Sequence, residues 1–207
     1  MFSKTQLENL IKAQYDLNQN YIPDFLNNVR KEKFLTAFQC EWAEFLESAP
    51  RFYNHKFWKP TLSDDTQNAK VEIVDILHFG LSLVIYSQIG VELKNNELEE
   101  SKFSNFFKEL ENRFNHRVIK KDLNWALFYF SEINQQIVNS DKSYSFTYYL
   151  LVFLEILCDY VDWSFDDLYN AYWKKNELNL KRIKEGYMEG KYQKVIDGQE
   201  DNRSLDI

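Results

Sequence analysis

The 207 residues carry 25 basic and 32 acidic side chains, a net charge of −7, which argues against a phosphate-backbone binder because that role needs a basic face. Five Trp, thirteen Tyr and seventeen Phe in a chain that is 44% hydrophobic supply ample core and exclude disorder over most of the length. Five glycines and three prolines, with no glycine before Gly80, leave the tight hairpins of an all-β sandwich unsupported.

Helical spacing dominates the chain. Ser3 with Gln6 forms a capping-box pattern ahead of Leu7, Leu10, Ile11 and Leu17, which share one face. Gln14 lies on that face and Asn18 borders it. A second amphipathic helix over residues 32–49 presents Phe34, Leu35, Phe38, Trp42, Phe45 and Leu46 and stops before Pro50. Residues 51–65 read as an ordered loop ending in the start signal Ser63-Asp64-Asp65. From 66 to 88 comes a helix apolar nearly all round, which implies a central position. Further helices are expected over 95–116, 122–139 and 144–161, and Ser164 with Asp167 caps a last one reaching about 185. Gly186, Gly190 and Gly198 space a polar tail, expected to be a mobile loop. The pattern predicts one all-α domain over 1–207.

Cys40 and Cys158 make neither a disulfide framework nor a zinc site, so a reduced, intracellular protein is the expectation. The first residues do not read as a signal peptide, and no apolar run has the ~18–20 residues of a membrane span. A cytoplasmic protein without membrane or nucleic-acid partners follows as the expectation.

Chemistry concentrates in two helices. At about 100° per residue, Glu41 and Glu44 project together beside the aromatic face of the second helix. In the central helix, Glu72 and Asp75 are the only charges from Val71 to Ile85. Buried carboxylates cost several kcal/mol unless paired or metal-bound, so four acids converging from two packed helices suit Mg²⁺ or Mn²⁺. A di-iron centre wants Glu-x-x-His twice. Only Asp75-x-x-His78 approaches that pattern, and His78 reads instead as a core histidine.

On the last helix Lys175, Asn179 and Arg182 form one stripe, and between Lys174 and Lys194 seven cations face three acids. Basic residues at a helix C-terminus match the macrodipole. Acids for metal beside a Lys/Arg stripe is also the division of labour that phosphoryl chemistry uses.

Together these segments resemble the dimeric, all-α dUTP pyrophosphatases of the MazG-like nucleotide pyrophosphatase superfamily. The resemblance rests on Cys40-Glu41-Trp42-Ala43-Glu44, on the run from Val71 to Phe79 and on Lys175-Asn176-Glu177-Leu178-Asn179. It continues through Arg182, Gly186-Tyr187, Gly190, Tyr192 and Glu200-Asp201-Asn202, with Gln14-x-x-Leu17-Asn18 before them. His55-Lys56-Phe57-Trp58-Lys59 stands where the family carries Trp-Lys-His-Trp-Lys. The resemblance implies a homodimer that hydrolyses dUTP, and dUDP, to dUMP with Mg²⁺. It implies that Glu41, Glu44, Glu72 and Asp75 hold metal, with Glu44 or Glu41 activating water. Phosphates would fall to Lys59, Lys175, Arg182, Tyr187 and Lys194. The base and deoxyribose would fall to Gln14, Asn18, Trp58, Phe79, Asn179 and Asn202, with residues 186–207 closing over the substrate. Two alternatives remain: a pyrophosphatase for dCTP or other pyrimidine deoxynucleotides, since the amides alone choose the base, and a non-catalytic nucleotide-binding protein on the same fold.

Overall fold

A computed structural model describes residues 1–89, 100–115, 122–139, 145–196, 199–205 and 207. Helix α1 (Lys4–Tyr21) opens on the expected capping box, with Ser3 and Gln6 satisfying each other's backbone N–H, and buries Leu7, Leu10, Ile11 and Leu17 along with Gln14 and Asn18. Pro23 then interrupts the chain. A single unforeseen turn, α2 (Phe25–Asn28), seats Phe25 in the core.

Helix α3 (Lys31–Ser48) gives way at Ala49 to another single turn, α4 (Pro50–Tyr53), with proline at its first position, where its missing N–H costs nothing. The loop that follows is ordered, as its sequence suggested. Asp64 anchors it by accepting from the Arg51 backbone N–H (3.1 Å), Arg51 Nε (2.9 Å) and the Tyr160 hydroxyl (2.6 Å).

Helix α5 (Thr66–Val84) is capped by Asp65, whose side chain accepts from the Asn68 N–H. It was expected to run regularly to residue 88 but passes into a π-helical turn at Ile85–Ile89. Its side chains are buried on every face from Val71 to Val74 and from Ile76 to His78, because α1, α3, α8 (Ser145–Tyr160) and α9 (Phe165–Lys184) all pack on it. Each buried Leu, Ile or Val there contributes about 1.5–3 kcal/mol. A Cβ at Gly80 would meet Leu150 Cδ1 at 2.7 Å, so glycine sets the close approach of α5 to α8.

Helices α6 (Glu100–Asn115) and α7 (Leu123–Val138) pack against α8. Of the expected helix over 95–116, residues 95–99 and His116 lie outside the described residues, as do Tyr144 and Gly198. No helix among the described residues is long and apolar enough to cross a membrane.

Helix α9 begins with the expected Ser164–Asp167 capping box. Gly186 and Gly190, with φ of 86° and 69°, bracket a 3₁₀ turn at Tyr187–Glu189. Where a loop was expected beyond it, β1 (Val195–Ile196) pairs antiparallel with β2 (Gln199–Glu200), and a last 3₁₀ turn covers Asp201–Ser204. The Leu205 carbonyl accepts from Gln67 Nε2 (2.9 Å), which joins this tail to the first turn of α5.

Candidate active site

Packing of α3 on α5 brings three of the four predicted acids together. Ligand oxygens of Glu41, Glu72 and Asp75 all lie within 4.8 Å of one another. Glu72 is only 5% exposed and accepts from Asn68 Nδ2 (2.8 Å); the same amide nitrogen donates to Ser48 Oγ (2.6 Å). Asp75 Oδ2 accepts from Lys175 Nζ at 2.7 Å. Glu44 is exposed, one turn beyond Glu41. It stands at the edge of the trio, near enough for its charge to act on Glu41 and Glu72.

Burial first, then the charges of Asp75 and Glu44, hold both Glu41 and Glu72 above the usual carboxylate range. A hydrogen bond between their carboxyls favours the protonated Glu41, and Lys175 draws Glu72 partly back. Three hard oxygen donors with too little positive charge beside them fit a divalent cation, which would favour the ionised form of each.

These shifts have a sign in stability. Glu41 and Glu72 bind protons more tightly folded than unfolded, so their contribution is full near the ordinary carboxylate value of 4.5 and is lost as pH rises through the folded values. His78 opposes them in acid. Burial, then the Lys175 charge, lowers it from 6.5 to about 3, so the unfolded chain takes up its proton first as pH falls. Metal-free protein is therefore expected to melt at progressively lower temperature from about pH 6.5 to about pH 8, and added Mg²⁺ to flatten that decline. A melting temperature that rises over that interval without metal would overturn the carboxylate assignment.

The cationic stripe faces the trio from α9. Lys175, Asn179 and Arg182 are all buried, and Arg182 Nη1 donates to Asn179 Oδ1 (3.1 Å). Its Nε donates to Asp201 Oδ2 (3.0 Å), while Nη2 reaches Asp201 Oδ1, giving a two-pronged ion pair. The Tyr192 hydroxyl donates to the same carboxylate (2.6 Å). Burial works against the Asp201 charge, yet hydrogen bonds from Arg182 and Tyr192 outweigh it and hold the carboxyl below its ordinary range.

A cavity of about 390 Å³ opens between these groups, within the size range of small-molecule sites. Glu41, Asp75, Lys175 and Arg182 line its charged end. Leu17, Phe25, Phe34 and Phe79 supply apolar wall, Asn18 and Asn179 supply amides, and Tyr187 with Lys194 stands in the rim.

Gln14 also lines the cavity, inside a closed set of hydrogen bonds. Its Oε1 lies 2.7 Å from His78 Nδ1 and accepts from the Tyr172 hydroxyl (3.1 Å). Its Nε2 donates to Asn18 Oδ1 (2.9 Å) and Ser82 Oγ (3.1 Å). Asn18 Nδ2 donates to the same Ser82 oxygen (3.0 Å), and the Ser82 hydroxyl donates to the His78 carbonyl (3.0 Å).

Three predicted residues lie elsewhere. Trp58 is 64% exposed beside Phe57 on the loop before α5, with Lys59 exposed next to it, and neither Trp58 nor Lys59 lines the cavity. Asn202 is buried in the last turn and is not among the lining residues. Sequence reasoning did not single out Tyr21, Phe25 and Phe34 for the cavity, nor Ser82 and Tyr172 for the amide set. The hydroxyls of Ser82 and Tyr172 on apolar helix faces were the available signal.

No curated protein matches the chain. A family model described as dUTPase does match, over residues 6–187, and so takes in α1 through α9 with the acid trio, the Lys175–Arg182 stripe and the amide wall. The chain belongs to the dUTPase family.

Proposed function

We propose that the chain is a Mg²⁺-dependent dUTP diphosphatase, able to use Mn²⁺ in its place, that hydrolyses dUTP to dUMP and pyrophosphate, and dUDP to dUMP and phosphate. One observation carries the reading: a single cavity is lined by Glu41 and Asp75 of the acid trio, a buried Lys/Arg pair and an amide wall edged by aromatic rings.

Glu41, Glu72 and Asp75 would hold the metal, which when bound would make the phosphorus more electrophilic. Glu44, exposed beside the trio, takes the proton of the attacking water. Lys175 and Arg182 take up the charge that develops on the leaving phosphates. Tyr187 and Lys194 reach the same groups from the rim, and Asn179 serves the deoxyribose. Asn18, held in place by Gln14, presents the polar edge for the uracil, with Phe79 along its face. A homodimer is the assembly implied by the resemblance. Phe57 and Trp58, large and exposed, supply apolar surface for contact with a second copy.

Hydrolysis assayed over dUTP, dUDP, dCTP, dTTP and UTP, with and without Mg²⁺ and with products identified, tests the proposal. Preference for dUTP and dUDP with dUMP as product is expected. Preference for dCTP would keep the metal chemistry and overturn the base assignment; silence on every substrate would return the chain to the nucleotide-binding alternative.

A further inference from the structure

A primary amide reads a pyrimidine ambiguously unless something holds it. Uracil offers the acceptor O4 beside the donor N3–H, whereas cytosine offers the donor N4 beside the acceptor N3. An amide that pairs with one edge pairs with the other after a 180° flip. Choice between the two bases therefore needs the amide locked, with a group outside the base site deciding which end is oxygen.

The amide wall contains such a lock. Gln14 Oε1 can only accept, so the His78 nitrogen 2.7 Å away carries its hydrogen on Nδ1. Tyr172 adds a second donor to that oxygen, and its ring stacks on the imidazole with centroids 4.3 Å apart. With two donors fixed on Oε1, Gln14 Nε2 must face Asn18 Oδ1 and Ser82 Oγ. Asn18 then has no choice of orientation either: its oxygen receives Gln14 and its nitrogen donates to Ser82. Among these bonds both amide hydrogens of Gln14 are spent, while Asn18 keeps one N–H and one oxygen lone pair in fixed order at the cavity wall.

The imidazole suits this task. His78 is 4% exposed and burial keeps it neutral, so it has a single hydrogen, and that hydrogen is committed to Gln14. Its Nε2 is buried and has no hydrogen-bond partner among the described residues, so a hydrogen there would be an unsatisfied donor and the single hydrogen stays on Nδ1.

We propose that His78 and Tyr172 are positioning residues for base choice: by donating together to Gln14 they lock the Gln14–Asn18 amide pair in the orientation that accepts uracil and rejects cytosine. The proposal rests on reading this cavity as the base site of a dUTP-hydrolysing enzyme.

The experiment is kcat/KM for dUTP and dCTP in the parent, His78→Asn, His78→Gln and Tyr172→Phe. The Asn amide nitrogen falls near the place of Nδ1 and restores the donor, so His78→Asn is expected to keep the dUTP:dCTP ratio within about twofold. The Gln amide falls near Nε2 and leaves Oε1 short of a donor, so His78→Gln is expected to lower the ratio about tenfold, as is Tyr172→Phe. In both, the dUTP KM rises while dCTP turnover increases. A residue that merely filled space would not separate His78→Asn from His78→Gln. If His78→Gln does not fold, Tyr172→Phe, which keeps the ring, carries the test. Equal ratios in the parent and the folded variants would overturn the lock alone. A parent that hydrolyses neither nucleotide, or prefers dCTP, would overturn the base-site reading and the lock with it.

Discussion

Glu72→Gln is expected to fold as well as the parent and to hydrolyse dUTP on the order of 10³-fold more slowly, with the loss in kcat. The two halves of the expectation have different origins. Glu72 sits 95% buried between Glu41 and Asp75, and ionising it there is opposed by burial and by the Asp75 charge. A neutral amide removes that repulsion, and its oxygen can still accept from Asn68 Nδ2. Metal-free Glu72→Gln is therefore expected to melt at or above the parent temperature, most clearly near pH 8. Turnover falls because an amide oxygen is a weaker ligand for a hard cation than a carboxylate. Melting curves in EDTA and with Mg²⁺ separate the two effects: the parent gains stability on adding metal and the variant does not. Activity within a few-fold of the parent would remove the metal assignment from Glu72.

The sequence made the acids legible because Glu72 and Asp75 interrupt an otherwise apolar helix, and nothing but a cation or a partner makes such a pair tolerable in a core. The all-round apolar pattern of the same helix located α5 at the centre, but nothing in it showed that Lys175 reaches Asp75 from α9. Legibility failed where position depends on the path of loops. Trp58 and Lys59 sit six or more residues from the nearest long helix, and periodicity says nothing about the direction in which such a segment points. Phe25 was missed because Pro23 ends one helical pattern and a single turn is too short to show another. His78 was read as a core histidine from its apolar neighbours. It is buried as that reading requires, yet it also lines the cavity, because the wall of a site cut into a helical core is itself core. Asp201 belonged to a recognised run, but the hairpin that returns it to Arg182 has two-residue strands that leave no alternating pattern to read.

Lys175→Met is expected to cost about 2–3 kcal/mol of stability at pH 8, at the low end for removing one partner of a buried pair because the Asp75 side chain retains 19% exposure. Lys175 is 2% exposed and reaches Asp75 from α9, and its charge also draws Glu72 downward. Methionine fills similar volume, so what is lost is compensation for the trio. Arg182 also feels Asp75, but its guanidinium is committed to Asp201 and Asn179. At this chain length the deficit corresponds to roughly 5–10 °C in melting temperature. It should shrink toward pH 5, where protons neutralise Glu41 and Glu72, and shrink again on adding Mg²⁺ at pH 8. Lys175→Met/Asp75→Asn should recover most of the metal-free stability, because the uncompensated charge is gone, while dUTP hydrolysis stays lost. Equal melting of Lys175→Met and the parent at pH 8 would mean that water reaching Asp75 already screens the trio, and the charge argument for a cation there would fail with it. The opposite result makes Lys175 a resident counter-ion that neutralises Asp75 in metal-free protein, the role a divalent cation at the trio would have to take over.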